Sequence, residues 1–157
     1  NLTTGSAVPT NITLQTMKNK MRQMRGENTP EGAESADILN LQARYIVGPG
    51  NLDTTILQLV MSVADPVTQI SSGVYNPART LIPIIEPLLD VASTTAWYLF
   101  ADPSQIATAE VAFLKGQETP ALRSSMNEKT LSQSTTILQT FGGAPMNHRG
   151  MQKHDGA

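Results

Sequence analysis

The sequence has several absences that limit its possible functions. It contains no cysteine, which excludes disulfide bonds within the chain, thiolate nucleophiles and cysteine metal sites. No apolar run approaches the roughly 20 residues of a membrane-spanning helix, and no signal peptide is visible. We therefore expect no membrane partner. Because the chain starts at Asn1 rather than at methionine, we expect a fragment or a processed product.

Charge is also scarce, since Asp, Glu, Lys and Arg make up only 15% of the 157 residues. The net charge of −2 gives no overall basicity for binding nucleic acid. A surface rich in Thr, Ser, Gln and Asn loses its water at lower cost than a surface of Lys and Glu. The composition thus suits a single domain that packs against copies of itself.

The few aromatic residues cluster in one central stretch, residues 81–122, which holds the only tryptophan, Trp97. Short apolar runs bounded by turn residues predict three strands there: Leu81–Ile85, Ala96–Ala101 and Val111–Leu114. Pro83 places the first strand at a sheet edge or a bulge. We expect this stretch to form the core and to bury its large side chains: Trp97, Leu99, Phe100, Val111 and Phe113. Alternation in the second strand predicts that both faces of it are apolar and covered.

Two helices are predicted before this stretch. The first follows a cap at Thr10 or Asn11, ends near Gly26 and has an apolar face of residues spaced three and four apart: Leu14, Met17, Met21 and Met24. The second follows a cap at Asn51 and has its own apolar face: Leu52, Ile56, Leu59, Val60 and Val63. Residues 41–47 form a strand between them, and the acidic segment 27–38 is expected to be the least ordered internal segment.

Beyond residue 122 the pattern weakens. Before the central stretch we expect an irregular connection over residues 67–79. After it we expect a polar turn over 123–130, a last strand over 131–141, a break at Gly142–Gly143 and a polar tail. Helices and strands alternate without βαβ periodicity, which favours an α+β fold with a central mixed sheet flanked by helices.

The search for chemistry gives two weak patterns. Basic residues line the first helix without an acid among them: Lys18, Lys20, Arg22 and Arg25. They could bind nucleic acid, or form an ordinary solvated helix face. Four carboxylates lie near the central stretch and could supply acid–base catalysis or cap turns: Glu86, Asp90, Asp102 and Glu110. His148 and His154 lack the neighbours of a metal site, and we predict no catalytic residue, cofactor or metal.

The central segment TTAWYLFADPSQIATAEVAFLKGQETP resembles the major capsid subunits of Mu-like prophages. In that family S/T-x-x-W-Y-L is followed by A-D-P, then by I-E-V-x-F/Y-L-x-G and a proline. The resemblance continues upstream in ARYIVGPGNLDTTILQLVMS and LIPIIEPLLD, and downstream in FGGAPMNHRGMQK, and so covers most of residues 10–153. The chain departs from the family pattern at His148, usually an aromatic residue, at Gln152, often tyrosine, and over residues 121–135.

The resemblance implies the Hong Kong 97-like fold of tailed-phage capsids. The chain looks like the C-terminal half of such a subunit, with residues 1–120 an axial-domain-like core and residues 121–157 a returning peripheral-domain strand and tail. Many relatives carry a ClpP-like prohead protease upstream, for which no Ser–His constellation is present here.

The implied function is structural: a phage head subunit, or a fragment of it, that assembles with copies of itself into hexamers and pentamers of an icosahedral shell. The implied location is the virion, and the host cytoplasm during assembly, with a scaffold or prohead protease as possible further partners. Two alternatives stay open, a small nucleic-acid-binding module that uses Lys18–Arg25 and a carboxylate-dependent hydrolase.

Overall fold

The computed structural model describes residues 2–3, 8–26, 37–62 and 76–156. The chain divides into two compact units. We call the first, Asn1–Thr108 with Asn147–Ala157, the sheet unit, and the second, Ala109–Met146, the arm. Residues 27–36 of the expected loop at 27–38, Val63 and most of the connection at 67–79 lie outside the described residues. The expected boundary at residue 120 falls within the arm, between two of its strands, and the assignment of axial and peripheral domains stays a prediction.

The described elements follow one another along the chain as β1 (Leu2–Thr3), α1 (Asn11–Arg22), β2 (Ala43–Gly48), α2 (Asp53–Met61), β3 (Ile82–Ile85), β4 (Trp97–Ala101), β5 (Ala109–Phe113), β6 (Ala121–Asn127), β7 (Ser132–Leu138), β8 (Phe141–Pro145) and β9 (Met151–His154). Short 3-10 helices cover Gly50–Leu52, Pro77–Thr80, Pro87–Val91 and His148–Gly150.

The sheet unit contains a five-stranded mixed sheet in the order β1-β9-β4-β2-β3. Strand β2 runs parallel to β3 and antiparallel to β4, which in turn pairs antiparallel with β9. The predicted α+β class is therefore confirmed. Strand β3 lies at one end of this order, as Pro83 predicted, since a proline cannot donate a hydrogen bond to a neighbouring strand.

Helix α1 begins as the sequence predicted. The Thr13 amide donates to Thr10 Oγ1 at 3.2 Å, and the Thr10 amide donates to Thr13 Oγ1 at 2.9 Å, so two amides at the start of the helix are satisfied reciprocally. The helix ends at Arg22, earlier than the expected stop at Gly26. The predicted apolar face is buried at Leu14, Met17 and Met21 and is only partly buried at Met24.

The start of α2 is stabilised differently from the prediction. Asn51 does not cap it; its side-chain amide donates to the Thr94 carbonyl. Instead, the Asp90 carboxylate accepts hydrogen bonds from the amides of Gly50 at 3.0 Å and Asn51 at 3.2 Å. The negative charge of Asp90 thus lies at the amino-terminal end of the helical segment, where the helix dipole favours it.

One face of the sheet carries the core. Trp97, Leu99 and Ile46 are fully buried, and both helices contribute side chains to the same cluster: Leu14, Met17, Met21, Ile56, Leu59 and Val60. Tyr98 and Phe100, on the opposite face of β4, are only partly buried. The expectation that both faces of this strand are covered was therefore wrong for the Tyr98 side in the described part of the chain.

The expected polar tail is instead part of the sheet. Strand β9 pairs with β4, and His154 lies opposite Trp97 with its side chain buried. The two rings stack with centroids 5.2 Å apart and an interplanar angle of 16°. Gln152, two pairs along and opposite Leu99, is also buried. Polar side chains of this strand face the core, so the segment was predicted to be a polar tail rather than a strand.

The arm also corrects three expectations. Strand β6 occupies most of the region predicted as a polar turn at 123–130, because its Ser and Asn side chains are solvated. Gly142 and Gly143 lie inside β8 rather than breaking a strand. Val111 and Phe113, expected in the core, are exposed.

Candidate assembly interface

The arm is built from two antiparallel strand pairs. Strand β5 pairs with β8, and β6 pairs with β7. Residues directly opposite each other in such a pair point to the same face, and the face changes at each step along the strand. The register therefore fixes which side chains share a face.

One face of the β5–β8 pair is apolar throughout. It is formed by three cross-strand pairs: Ala109 with Pro145, Val111 with Gly143, and Phe113 with Phe141. The two phenylalanine rings contact each other with centroids 6.5 Å apart and planes inclined at 44°. Tilted pairs of this kind stabilise a sheet by ~0.5–1.5 kcal/mol beyond area burial. Nevertheless, Phe113 is 46% exposed and Phe141 is 67% exposed.

The β6–β7 pair has one apolar patch and one polar face. Leu122 lies opposite Ile137, with exposures of 69% and 67%, and Met126 follows on the same face. On the other face the hydroxyls of Ser125 and Ser134 are 2.8 Å apart, within hydrogen-bond distance. The face of Leu122 and Met126 also carries Ser124 and its partner Thr135, so the exposed apolar side chains form a patch beside polar ones rather than a wholly apolar face.

The arm cannot cover these apolar side chains by itself. In the described structure each of its strands is paired along one edge only, so the arm consists of two-stranded ribbons. An isolated two-stranded hairpin is marginally stable in water and gains stability when a further strand or layer covers its apolar face. Strand β7 also lacks charged residues and proline along its free edge, the features that normally prevent pairing with another chain. Both observations mark the arm as a surface for association.

Three of the four carboxylates singled out in the sequence accept hydrogen bonds from backbone amides. The Glu86 carboxylate accepts from the Leu88 amide at 3.1 Å, and Asp90 binds the two amides before α2. The Asp102 carboxylate accepts from Ser104 and pairs with Arg44 at 2.8 Å, and these hydrogen bonds hold its pKa below the usual value. Glu110 lies on β5 of the arm. Three of the four acids therefore accept hydrogen bonds from backbone amides, which is the capping role their turn positions allowed.

The basic residues in and just after α1 do not form one uniform face. Lys18 and Arg22 line a cavity of the sheet unit, whereas Lys20 and Arg25 are not among its lining residues. Burial and then the charge of Arg22 lower the pKa of Lys18, whose ammonium donates to the Pro77 carbonyl at 3.0 Å. His148 is exposed at the start of a 3-10 helix. Within the described residues there is no group of three or more His, Asp or Glu side chains placed to hold a metal ion.

Comparison with known protein families decides the class. The family model described as phage capsid protein matches residues 1–154. The chain belongs to the phage capsid protein family. Comparisons with curated proteins and with solved structures gave no match.

Membership in this family makes the chain a structural capsid subunit, and the predicted structural function and virion location are confirmed at that level. A capsid is a shell built from copies of its subunits, so exposed apolar surface on a capsid subunit has an evident use. Of the helices in the described ranges, none combines the length and the apolar character needed to cross a bilayer.

Sequence reasoning missed the arm as an association surface. It recognised Val111 and Phe113 as apolar but assigned them to the core, since alternation shows that one face of a strand is covered without showing by what. The available signal was the glycine and proline content of 142–145, where Gly143 is opposite Val111 and Pro145 is opposite Ala109, because such residues give a strand little side chain of its own to pack.

Proposed function

We propose that this capsid subunit joins a Hong Kong 97-like head of the Mu-like type through its arm. The apolar faces of the arm are covered by neighbouring copies as hexamers and pentamers form and build an icosahedral shell. The observation that supports this most directly is the exposed Phe113–Phe141 pair on a wholly apolar ribbon face.

The proposal includes the setting of assembly. Subunits associate in the host cytoplasm, where a scaffold or a prohead protease acts on the growing shell, and the subunit itself contributes surface rather than catalysis. The family resemblance supports this setting. The hydrogen bonds that Glu86, Asp90 and Asp102 accept from backbone amides support a subunit that contributes surface rather than catalysis.

Assembly of the complete gene product tests the role of the arm. Phe113→Ser combined with Phe141→Ser removes the aromatic pair from an exposed position, so the fold of the sheet unit is retained. We expect this variant to lose the rings or shells seen by negative-stain microscopy and the large species seen by sedimentation velocity. Circular dichroism and the thermal unfolding midpoint of the sheet unit stay unchanged.

The matched control is Leu88→Ser combined with Val91→Ser, which replaces two exposed apolar side chains of the sheet unit, 76% and 89% exposed. This control is expected to assemble like the parent. Shells from the Phe113 and Phe141 double variant at parental yield would refute the role of the arm. A parent protein that stays monomeric at high concentration would refute self-assembly itself.

A further inference from the structure

The sheet unit contains a basic cavity that the arm-based interface does not use. Its volume is about 450 Å³, within the range of ligand-binding pockets. The lining side chains come from α1, from the starts of β2 and β3, and from the turn after β4.

The cavity has an excess of positive charge. Lys18, Arg22 and Arg44 line it, against the single carboxylate of Asp102. That carboxylate is already engaged by Arg44 and by the amide and hydroxyl of Ser104. Among the described residues Arg22 has no ion-pair partner, and Lys18 donates to a neutral carbonyl. The partly buried Lys18 and the exposed Arg22 therefore line this cavity without a counter-charge of their own.

Neutral donors complete the lining. The Gln105 side-chain oxygen accepts a hydrogen bond from the Gln42 amide at 2.8 Å, which turns its NH₂ group into an available donor. A guanidinium presents several N–H groups in a fixed plane that matches the oxygens of a carboxylate or phosphate. Ala43 and Ile82 give one wall an apolar character that suits the methylene groups of a glutamate side chain.

We propose that this cavity binds a carboxylate side chain on the arm of a second copy of the subunit. The inference rests on the proposed function, because it takes the neighbouring subunit as the partner. The arm carries three exposed glutamates with no ion-pair partner within the described residues: Glu110, Glu118 and Glu128. A concave site with one group of cations favours a single projecting side chain over a nucleic-acid duplex, whose phosphates form an extended row.

Charge reversal in the complete gene product tests the proposal. Arg22→Glu places a repelling carboxylate in the cavity, and Arg25→Glu makes the same charge change on a nearby exposed residue outside it. We expect Arg22→Glu to raise the dissociation constant of subunit association, measured by sedimentation velocity, by at least about tenfold. Arg25→Glu should change it by less than about twofold. Reversal of one arm glutamate to lysine in the Arg22→Glu background should restore association.

Inorganic phosphate gives a second readout that does not depend on assembly. It should shift the NMR signals of the Arg22 side chain and the Gln105 amide, and it should weaken association of the parent but not of Arg22→Glu. Phosphate binding without any effect of Arg22→Glu on association would mean a free-anion site and would overturn the role of the second copy. Absence of phosphate binding, equal assembly of the two charge-reversal variants, or failure of every glutamate reversal to restore association would also overturn it.

These outcomes are distinct from failure of the proposed function. If the Phe113 and Phe141 double variant assembles normally while Arg22→Glu does not, the cavity stands and the apolar arm face does not. If the aromatic variant fails to assemble and Arg22→Glu assembles normally, the arm stands and the cavity proposal is wrong.

Discussion

Replacing Trp97 by alanine should remove a large share of the stability of the sheet unit. Trp97 is the only tryptophan, has no exposed surface and packs in the cluster that both helices share. Truncating a buried tryptophan costs ~3–5 kcal/mol, because apolar contacts are lost and a cavity remains. Loss of the stack on His154 adds about 0.5–1.5 kcal/mol. The indole N–H has no hydrogen-bond partner within the described residues, so its removal relieves about 1–3 kcal/mol.

The relief exceeds the lost stack by about 0.5–1.5 kcal/mol, which leaves an expected loss of about 2–4 kcal/mol. A domain of this size has a total stability of about 5–15 kcal/mol, so the loss should be easily measured. Urea unfolding followed by circular dichroism gives the free energy of unfolding without relying on tryptophan fluorescence. Leu88→Ala, at a site 76% exposed, serves as the control and should change stability by less than about 0.5 kcal/mol. An unchanged urea midpoint for Trp97→Ala would show that this residue does not hold the core together.

Three further predictions concern polar groups in the same unit. His154 accepts a hydrogen bond from the Gly156 amide through Nδ1 at 3.1 Å, and burial is the main cause that lowers its pKa below the ordinary 6.5. As the pH falls, His154 therefore takes up its proton in the unfolded chain before it does so in the folded chain. The stability contributed by the neutral His154 side chain is full above about pH 6.5 and falls as the pH drops below it. His154→Gln should flatten the pH dependence of the urea midpoint between about pH 7.5 and 5.5, and an unaltered slope would contradict the assignment. Asn76 is fully buried and donates to the carbonyls of Leu59 and Ser62 at the end of α2. Asn76→Ala should therefore lower the free energy of urea unfolding by at least about 2 kcal/mol. Asn147 makes a similar turn but is less buried, so Asn147→Ala should lower it clearly less. The buried Gln152 side chain has no hydrogen-bond partner among the described residues, so Gln152→Met should raise the free energy of unfolding by about 1 kcal/mol, and a decrease would indicate that the amide is satisfied in solution.

Local patterns in the sequence predicted much of the sheet unit. The spacing of Leu14, Met17 and Met21 gave the buried face of α1, and Thr10 gave its start. These features depend on residues within a few positions of each other. The stabilisation of the start of α2 by Asp90 was not predictable in this way, because it joins residues about 40 positions apart.

The arm was harder to predict for a different physical reason. The residues of β6 are mostly polar because both faces and one edge of the ribbon meet water in the subunit, and polar residues resemble a turn. Phe113 follows the same alternation as a core residue, since a side chain covered by another subunit has the same chemistry as one covered by its own chain. The sequence therefore identified Val111 and Phe113 as apolar but not that they stay exposed in the subunit.

The position of the arm in the chain has a consequence for how this subunit can diversify. Strands β4 and β9 are antiparallel neighbours, with Phe100 opposite Met151, and the whole arm is inserted in the connection between them. The conformational entropy lost on closing such a connection rises only with the logarithm of its length, by about 0.6 kcal/mol for each doubling. Evolution can therefore lengthen, shorten or exchange the arm, and with it the contacts available to a shell, while the sheet that carries it keeps its register and its core.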